Sequence, residues 1–327
     1  MVEMCNAERL GWMSLTILTA ITAGTPRRLR SSFEHGKLRA GAAASPRQEE
    51  AGPLAKLLQA TVPKHFFSHF YILCVAACAM VFFDLFVYGG SLFSERIQGH
   101  SLCSKVAGRS KQALELGAES LLCLFLLTLQ AARRLWECVA VTTWGSSRMS
   151  LVAYVVGILH YQLLVFTILA EAPPLGRLIE DVGYGWENAP EIWVAMSESV
   201  KLQHTAALGL FVVGSVRQHE AIVHLASLRG STAGDGNKAA TNNVYGIPTK
   251  GWFQHVSCPH YFAELLIYAA FVLLGSFKGR GLGQGYLVAF TWVFANQALV
   301  AGRAHAWYLR KFEGYPAGRK RLIPGVW

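Results

Sequence analysis

His260, Glu264 and Tyr268 recur at every fourth residue through an apolar stretch, so a helix brings all three to one face. Pro259, just ahead of them, suits the first helical position. A second apolar segment ends in His305, Tyr308 and Phe312 on one face, breaks at Tyr315-Pro316, and closes with Arg319-Lys320-Arg321. Polar groups are costly at membrane depth and mark sites for that reason. In a third set, Gln130, Arg133, Arg134 and Glu137 share a helical sector, and Arg133 and Glu137 are spaced to pair. Two adjacent arginines are not expected to face one carboxylate together, which leaves a fixed cation for an anionic ligand. The alternative is a snorkelling pair at a helix end. Gln218, His219, Glu220, His224 and Arg229 form a fourth set. There His219 is either an exposed interfacial histidine or, with Arg229, a contact for cofactor phosphate or amide groups. The cluster at 319–321 is open in the same way, between lipid headgroups and a nucleotide phosphate.

The elements that position these groups follow from composition. Of 327 residues, 53% are hydrophobic and only 15% charged, which fits a polytopic all-α membrane protein. Seven spans can be drawn: Leu10–Gly24, Phe66–Tyr88, Leu114–Val141, Leu151–Ala170, Trp193–Gly214, Tyr261–Phe277 and Gly285–Gly302. Arg27-Arg28-Leu29-Arg30 follows the first span, whereas a cleaved signal carries its charge ahead of the apolar core, so an uncleaved anchor is expected. Segments assigned to the cytosolic side carry 19 Lys and Arg against 8 on the other, which places the C-terminus in the cytosol. The net charge of +10 lies between the spans, so it speaks for topology and headgroups and not for nucleic acid. The seven cysteines show no CxxC pair and no Cys/His ligand spacing, so neither a metal site nor a disulfide framework is expected. The segment from Thr25 to Pro53 reads as a loose linker and 229–243 as a turn. Gly279 to Gly285 misses the dinucleotide-loop register and reads as a lumenal turn. Lys201, among Glu198, Gln203 and His204, reads as part of a neutralised structural pair.

Several of these elements resemble the steroid 5α-reductase family, and most closely its polyprenol reductase branch. They are Val62 through Tyr71, Leu129 through Cys138, Gln218-His219-Glu220 with Leu228-Arg229, Gly246-Ile247-Pro248, Gly251-Trp252-Phe253, Val256 through Glu264, and Tyr315-Pro316 through Pro324. The resemblance implies a seven-helix, multi-pass enzyme of the endoplasmic reticulum membrane. It divides into an anchor helix and linker at 1–60, helices two to five at 61–215, and a C-terminal NADPH-binding domain at 216–327. The implied reaction is saturation of the α-isoprene unit of a long-chain polyisoprenoid lipid, giving dolichol for protein N-glycosylation. Carried over by position, the cofactor contacts are Gln218, His219, Arg229, Tyr245, His260, Glu264, His305 and Tyr308, with His260 standing where relatives often have asparagine. The Glu–Tyr pair of the steroid-reducing branch has no clean match. His69, Tyr71, Arg134 and Glu137 occupy that neighbourhood as catalytic candidates.

Chemistry sharpens the substrate. Hydride adds to an electron-poor alkene, and an allylic alcohol offers no group to accept the developing charge. A conjugated aldehyde does, so the expected immediate substrate is polyprenal. Competing readings are a Δ4-steroid or trans-2-enoyl-CoA reductase, an isoprenylcysteine-type methyltransferase, and a non-catalytic seven-helix receptor or transporter.

Overall fold

The computed structural model describes residues 59–90, 111–172, 198–230, 245–276 and 284–327. The expected first span, the linker, and residues 231–243 and 279–283 of the expected turns lie outside the described residues. The chain enters the described part through β1 (Thr61–Pro63), which pairs antiparallel with β2 (Arg148–Ser150). Among the described residues six α-helices follow in order: α1 (Phe67–Tyr88), α2 (Lys111–Trp136), α3 (Leu151–Glu171), α4 (Glu198–Gly230), α5 (Pro259–Leu274) and α6 (Gln284–Lys311). Three helical runs among the described residues are long and apolar enough to cross a bilayer: Lys64–Tyr88, Leu151–Glu171 and Gly285–Lys311. Helix α5 is apolar but shorter.

Many large apolar side chains face outward, among them Ile72, Met80, Phe83 and Phe86 of α1, Phe125 and Leu129 of α2, and Leu202, Val212 and Val213 of α4. Lipid is as apolar as these residues, so no cost opposes their exposure. Close backbone approach therefore has to hold the helices together, and small residues permit it. A Cβ on Gly214 of α4 would lie 2.7 Å from the Ala263 carbonyl oxygen of α5, and one on Gly157 of α3 would lie 2.6 Å from the Phe70 ring of α1.

The fifth expected span was to end at Gly214, but α4 continues to Gly230, and α6 runs past Gly302 to Lys311. Hydropathy falls in both extensions while the helical hydrogen bonds continue, because Gln218, His224 and His305 turn into the protein and are buried. Two polar residues of α4 also find structural work. Gln203 Nε2 caps α5 by donating to the Leu273 and Ser276 carbonyl oxygens, and His204 meets Glu119 of α2 at 3.1 Å.

Candidate active site

Helix α2 ends in a cluster of buried charge. Glu137 has no exposed surface and opens a π-helical turn, Glu137–Val141, closed by Thr142 N–H on the Glu137 carbonyl oxygen at 2.8 Å. Arg133 donates to Oε1 and Arg134 to Oε2 of the same carboxylate. The expectation that adjacent arginines cannot share a carboxylate is thus overturned. Positions three and four residues before Glu137 both overlie its face, and a carboxylate has an oxygen for each fork. His219 Nδ1 lies 2.9 Å from Oε1. Arg133 also donates to Gln130 Oε1 at 2.7 Å and to Gln218 Oε1 at 2.5 Å, and Gln130 Nε2 donates to that same Gln218 oxygen at 3.0 Å. Two guanidinium charges thus bond one carboxylate directly, and the next acidic neighbour, the Glu264 carboxyl, bonds Gln297 instead, so positive charge is in surplus at contact range.

That surplus borders a cavity of about 300 Å³. Arg134 lines it, with Lys64, Cys138, Trp144, Arg229, Tyr245, Ser257, Cys258, His260, Tyr261 and Tyr308. Elements distant in sequence supply this wall: the turn before α1, the end of α2, the last turns of α4, the first turn of α5 and the end of α6. Arg229 is fixed by the Thr143 carbonyl oxygen at 2.5 Å, an uncharged acceptor that leaves its charge available, and its guanidinium lies 5.4 Å from the Tyr245 ring centroid. Trp144 is set by its Nε1–H on the Cys138 carbonyl oxygen at 2.8 Å and by stacking with Phe67. Arg134 is further braced by Tyr71, whose hydroxyl accepts from Nε at 3.3 Å.

Of the residues singled out from sequence, Arg134, Arg229, Tyr245, His260 and Tyr308 line this cavity. The others do not line it. Tyr71 and Glu137 hold Arg134. Gln218 holds Arg133 and donates to the His260 carbonyl oxygen at 3.4 Å. Glu264 accepts from Gln297 of α6 at 2.6 Å, and Tyr268 lies 2.5 Å from His160 of α3, so that face of α5 ties three helices together. His305 sits behind Ser257, and His69 bonds Tyr154 at 2.9 Å where α1 meets α3. His219 borders a second cavity of about 480 Å³, with Arg217, His224, Lys250 and Trp252 among its walls. There His224 Nε2 accepts the Thr249 and Lys250 backbone N–H groups at 3.1 and 3.3 Å, and so is bare of hydrogen. Burial, then the Lys250 charge, holds this ring below the usual histidine range.

The basic cluster at the C-terminal end does not act as one patch. Arg319 is buried over the Tyr315 ring and donates to the Pro248 carbonyl oxygen at 3.0 Å, Arg321 lies over Trp327, and Lys320 is exposed. Sequence reading passed over Lys64, Ser257, Cys258 and Tyr261 as site residues, although all four stand inside stretches it had singled out. Among the described residues the five cysteines are free thiols, and no cluster of His, Cys, Asp or Glu has the arrangement to hold a metal ion.

Comparison with known proteins supplies the class. Residues 188–327 match the 3-oxo-5-alpha-steroid 4-dehydrogenase family. The likeness extends beyond that segment to relatives of similar length. A polyprenal reductase of Caenorhabditis elegans is 30% identical over 86% of this chain and 84% of its own length. One from Ailuropoda melanoleuca is 31% identical over 80% of this chain and 77% of its own, and one from Homo sapiens 29% identical over 98% and 95%. The chain belongs to this family of membrane oxidoreductases, and its similarity runs to the polyprenal reductases within it.

Proposed function

We propose that the protein is an NADPH-dependent reductase of the α-isoprene double bond of long-chain polyprenal, acting in the endoplasmic reticulum membrane with its C-terminus in the cytosol and supplying dolichol for protein glycosylation. The observation that carries this reading is the incompletely neutralised guanidinium charge at Arg134, facing a cavity. Reduction of a conjugated aldehyde places negative charge on the carbonyl oxygen, and a preorganised cation in a dry site stabilises that charge strongly.

The residues present fit a phosphorylated dinucleotide. Lys64 and Arg229 offer cations to phosphate oxygens, and Tyr245, Tyr308 and Trp144 offer flat faces to its rings. When bound, NADPH supplies the hydride that ends on the β carbon of the aldehyde. Arg134 holds the carbonyl oxygen, and Glu137 and Tyr71 keep the guanidinium aimed while the charge develops. The exposed apolar sides of α1, α2 and α4 leave the long isoprenoid tail in lipid, so the cavity has to admit only its reactive end.

The test is turnover by detergent-purified protein with NADPH and a matched polyprenal and polyprenol, following nicotinamide absorbance and lipid mass. A gain of two hydrogens on the aldehyde with equal NADPH loss is expected. Faster saturation of the alcohol would overturn the aldehyde assignment. Turnover only with an enoyl-CoA or a steroid enone would move the substrate, and methyl transfer from S-adenosylmethionine would replace the reaction class.

A further inference from the structure

Ser257 lines the cavity, yet is only 1% exposed. Tyr315 donates its hydroxyl proton to Ser257 Oγ at 2.6 Å, and Oγ lies 2.7 Å from His305 Nδ1. Tyr315 and His305 are buried as well. The backbone holds the serine from another side, through Ser257 N–H on the Lys320 carbonyl oxygen at 2.8 Å. Its side chain does not cap α5, because Cys258 holds the N-cap position and makes no side-chain cap bond. This buried polar triad has no evident part in starting the helix.

A serine hydroxyl has one proton and two lone pairs. Tyr315 fills one lone pair. When His305 carries its hydrogen on Nδ1 it fills the other, and the single Ser257 O–H is left to face the cavity. When Nδ1 is bare, the O–H turns to the imidazole and the cavity meets a lone pair instead. The tautomer of His305 thus decides whether the cavity wall offers a proton.

We propose that Ser257 is the proton donor to the α carbon of the reduced aldehyde, with His305 and Tyr315 as positioning residues that aim and recharge it; this rests on the reductase reading above. After hydride addition the substrate is an enolate. Its electron pair takes the Ser257 Oγ–H, so that a C–H bond forms at the α carbon as the O–H bond breaks. His305 Nδ1–H passes to Oγ as water protonates Nε2, leaving a neutral ring in the other tautomer; water then returns a proton to Nδ1 as Nε2–H is released, which resets the ring for the next turnover. One proton from water is consumed per turnover, as the stoichiometry of the reaction demands. Tyr315 donates to Oγ throughout and lowers the cost of the negative charge that crosses it.

Tyr315→Phe is the decisive variant. Its ring keeps the near-parallel stacking on Tyr308 at 5.0 Å and stays beneath Arg319, so only the hydroxyl is lost. The expected result is a kcat for polyprenal lower by about fivefold, the worth of one ordinary hydrogen bond. The solvent deuterium isotope effect on kcat should rise, and NADPH binding, read by its fluorescence, should be unchanged. For Ser257→Ala the fall in kcat should reach about 100-fold, in the range of a lost general acid. If wild-type protein does not reduce polyprenal, the functional reading fails. If it does, and both variants keep wild-type kcat and isotope effect, or lose rate only through weaker NADPH binding, the proton-donor role is wrong. Should Ser257→Ala not fold, Tyr315→Phe alone decides.

Discussion

Glu137→Gln is the sharpest perturbation of the charge cluster. The native carboxylate receives Arg133 on one oxygen, with His219 beside it, and Arg134 on the other. The amide keeps the shape but has one acceptor oxygen, and its NH2 must face one of the guanidinium groups, donor against donor. Both partly buried cations then lose their anionic partner, and one of them loses its acceptor as well. Breaking a buried pair in this way costs about 3–5 kcal/mol, a large part of a typical total of about 5–15 kcal/mol. For a domain of about 150–250 residues each kcal/mol is worth about 2–4 °C, so the melting temperature should fall by about 6–20 °C. The assay is thermal unfolding in detergent by intrinsic tryptophan fluorescence, beside the same measurement on Glu137→Gln with Arg133→Met. That double variant removes the second cation and should recover part of the loss, since residues in one network couple by about 0.5–3 kcal/mol. A Glu137→Gln protein that melts within a degree of wild type would refute the clamp, and with it the argument for surplus charge at Arg134.

Three further outcomes follow from particular contacts. Arg229→Met removes a cavity cation whose own partner is a carbonyl, so NADPH should bind about 10- to 100-fold more weakly with kcat at saturation little changed; an unchanged KM for NADPH would remove Arg229 from the cofactor site. Gly214→Ala sets a Cβ against the Ala263 backbone, which cannot turn aside, and should destabilise by about 1–3 kcal/mol. Gly157→Ala meets the Phe70 ring instead and should cost less, as comparative melting would show. His224 accepts two backbone N–H groups and has a depressed folded pKa, so its stabilisation is complete above the unfolded value of about 6.5 and is lost as pH falls below it. His224→Gln keeps an acceptor but does not titrate, so the melting difference from wild type should shrink between pH 8 and pH 5, and a constant difference would count against it.

The apolar helices were legible because hydropathy and helix length are local properties, and α1, α3, α5 and the start of α6 fall close to where the sequence puts them. The ends of α4 and α6 were not, since a helix that turns its polar face into protein gives no apolar signal. The site was legible as a set of stretches but not as a set of contacts. Spacing rules join residues three or four apart, which found Arg133 with Glu137. They cannot join Gln130 to Gln218, 88 residues on, or Ser257 to Tyr315, 58 residues on. The carried-over positions met a related limit: Gln218, Glu264 and His305 are near the cavity, yet their contacts are to other side chains or to the backbone.

A fully buried anion bonded by two partly buried cations is a poor choice for stability alone, because a balanced pair, or apolar residues of the same volume, would do as well or better. The arrangement spreads the imbalance unevenly. Arg133 has its half of the carboxylate and, in addition, two neutral acceptors, the amide oxygens of Gln130 and Gln218, which soften its charge further. Arg134 has half of the carboxylate and the weakly accepting Tyr71 hydroxyl, and its remaining surface borders the cavity. The excess is therefore greatest where a ligand can meet it. Ground-state aldehyde carries little charge and gains little from such a wall, while an enolate oxygen carries nearly a full charge and gains much more. A fixed, incompletely neutralised guanidinium thus favours the transition state over the substrate, which is the condition for raising kcat and not merely tightening binding.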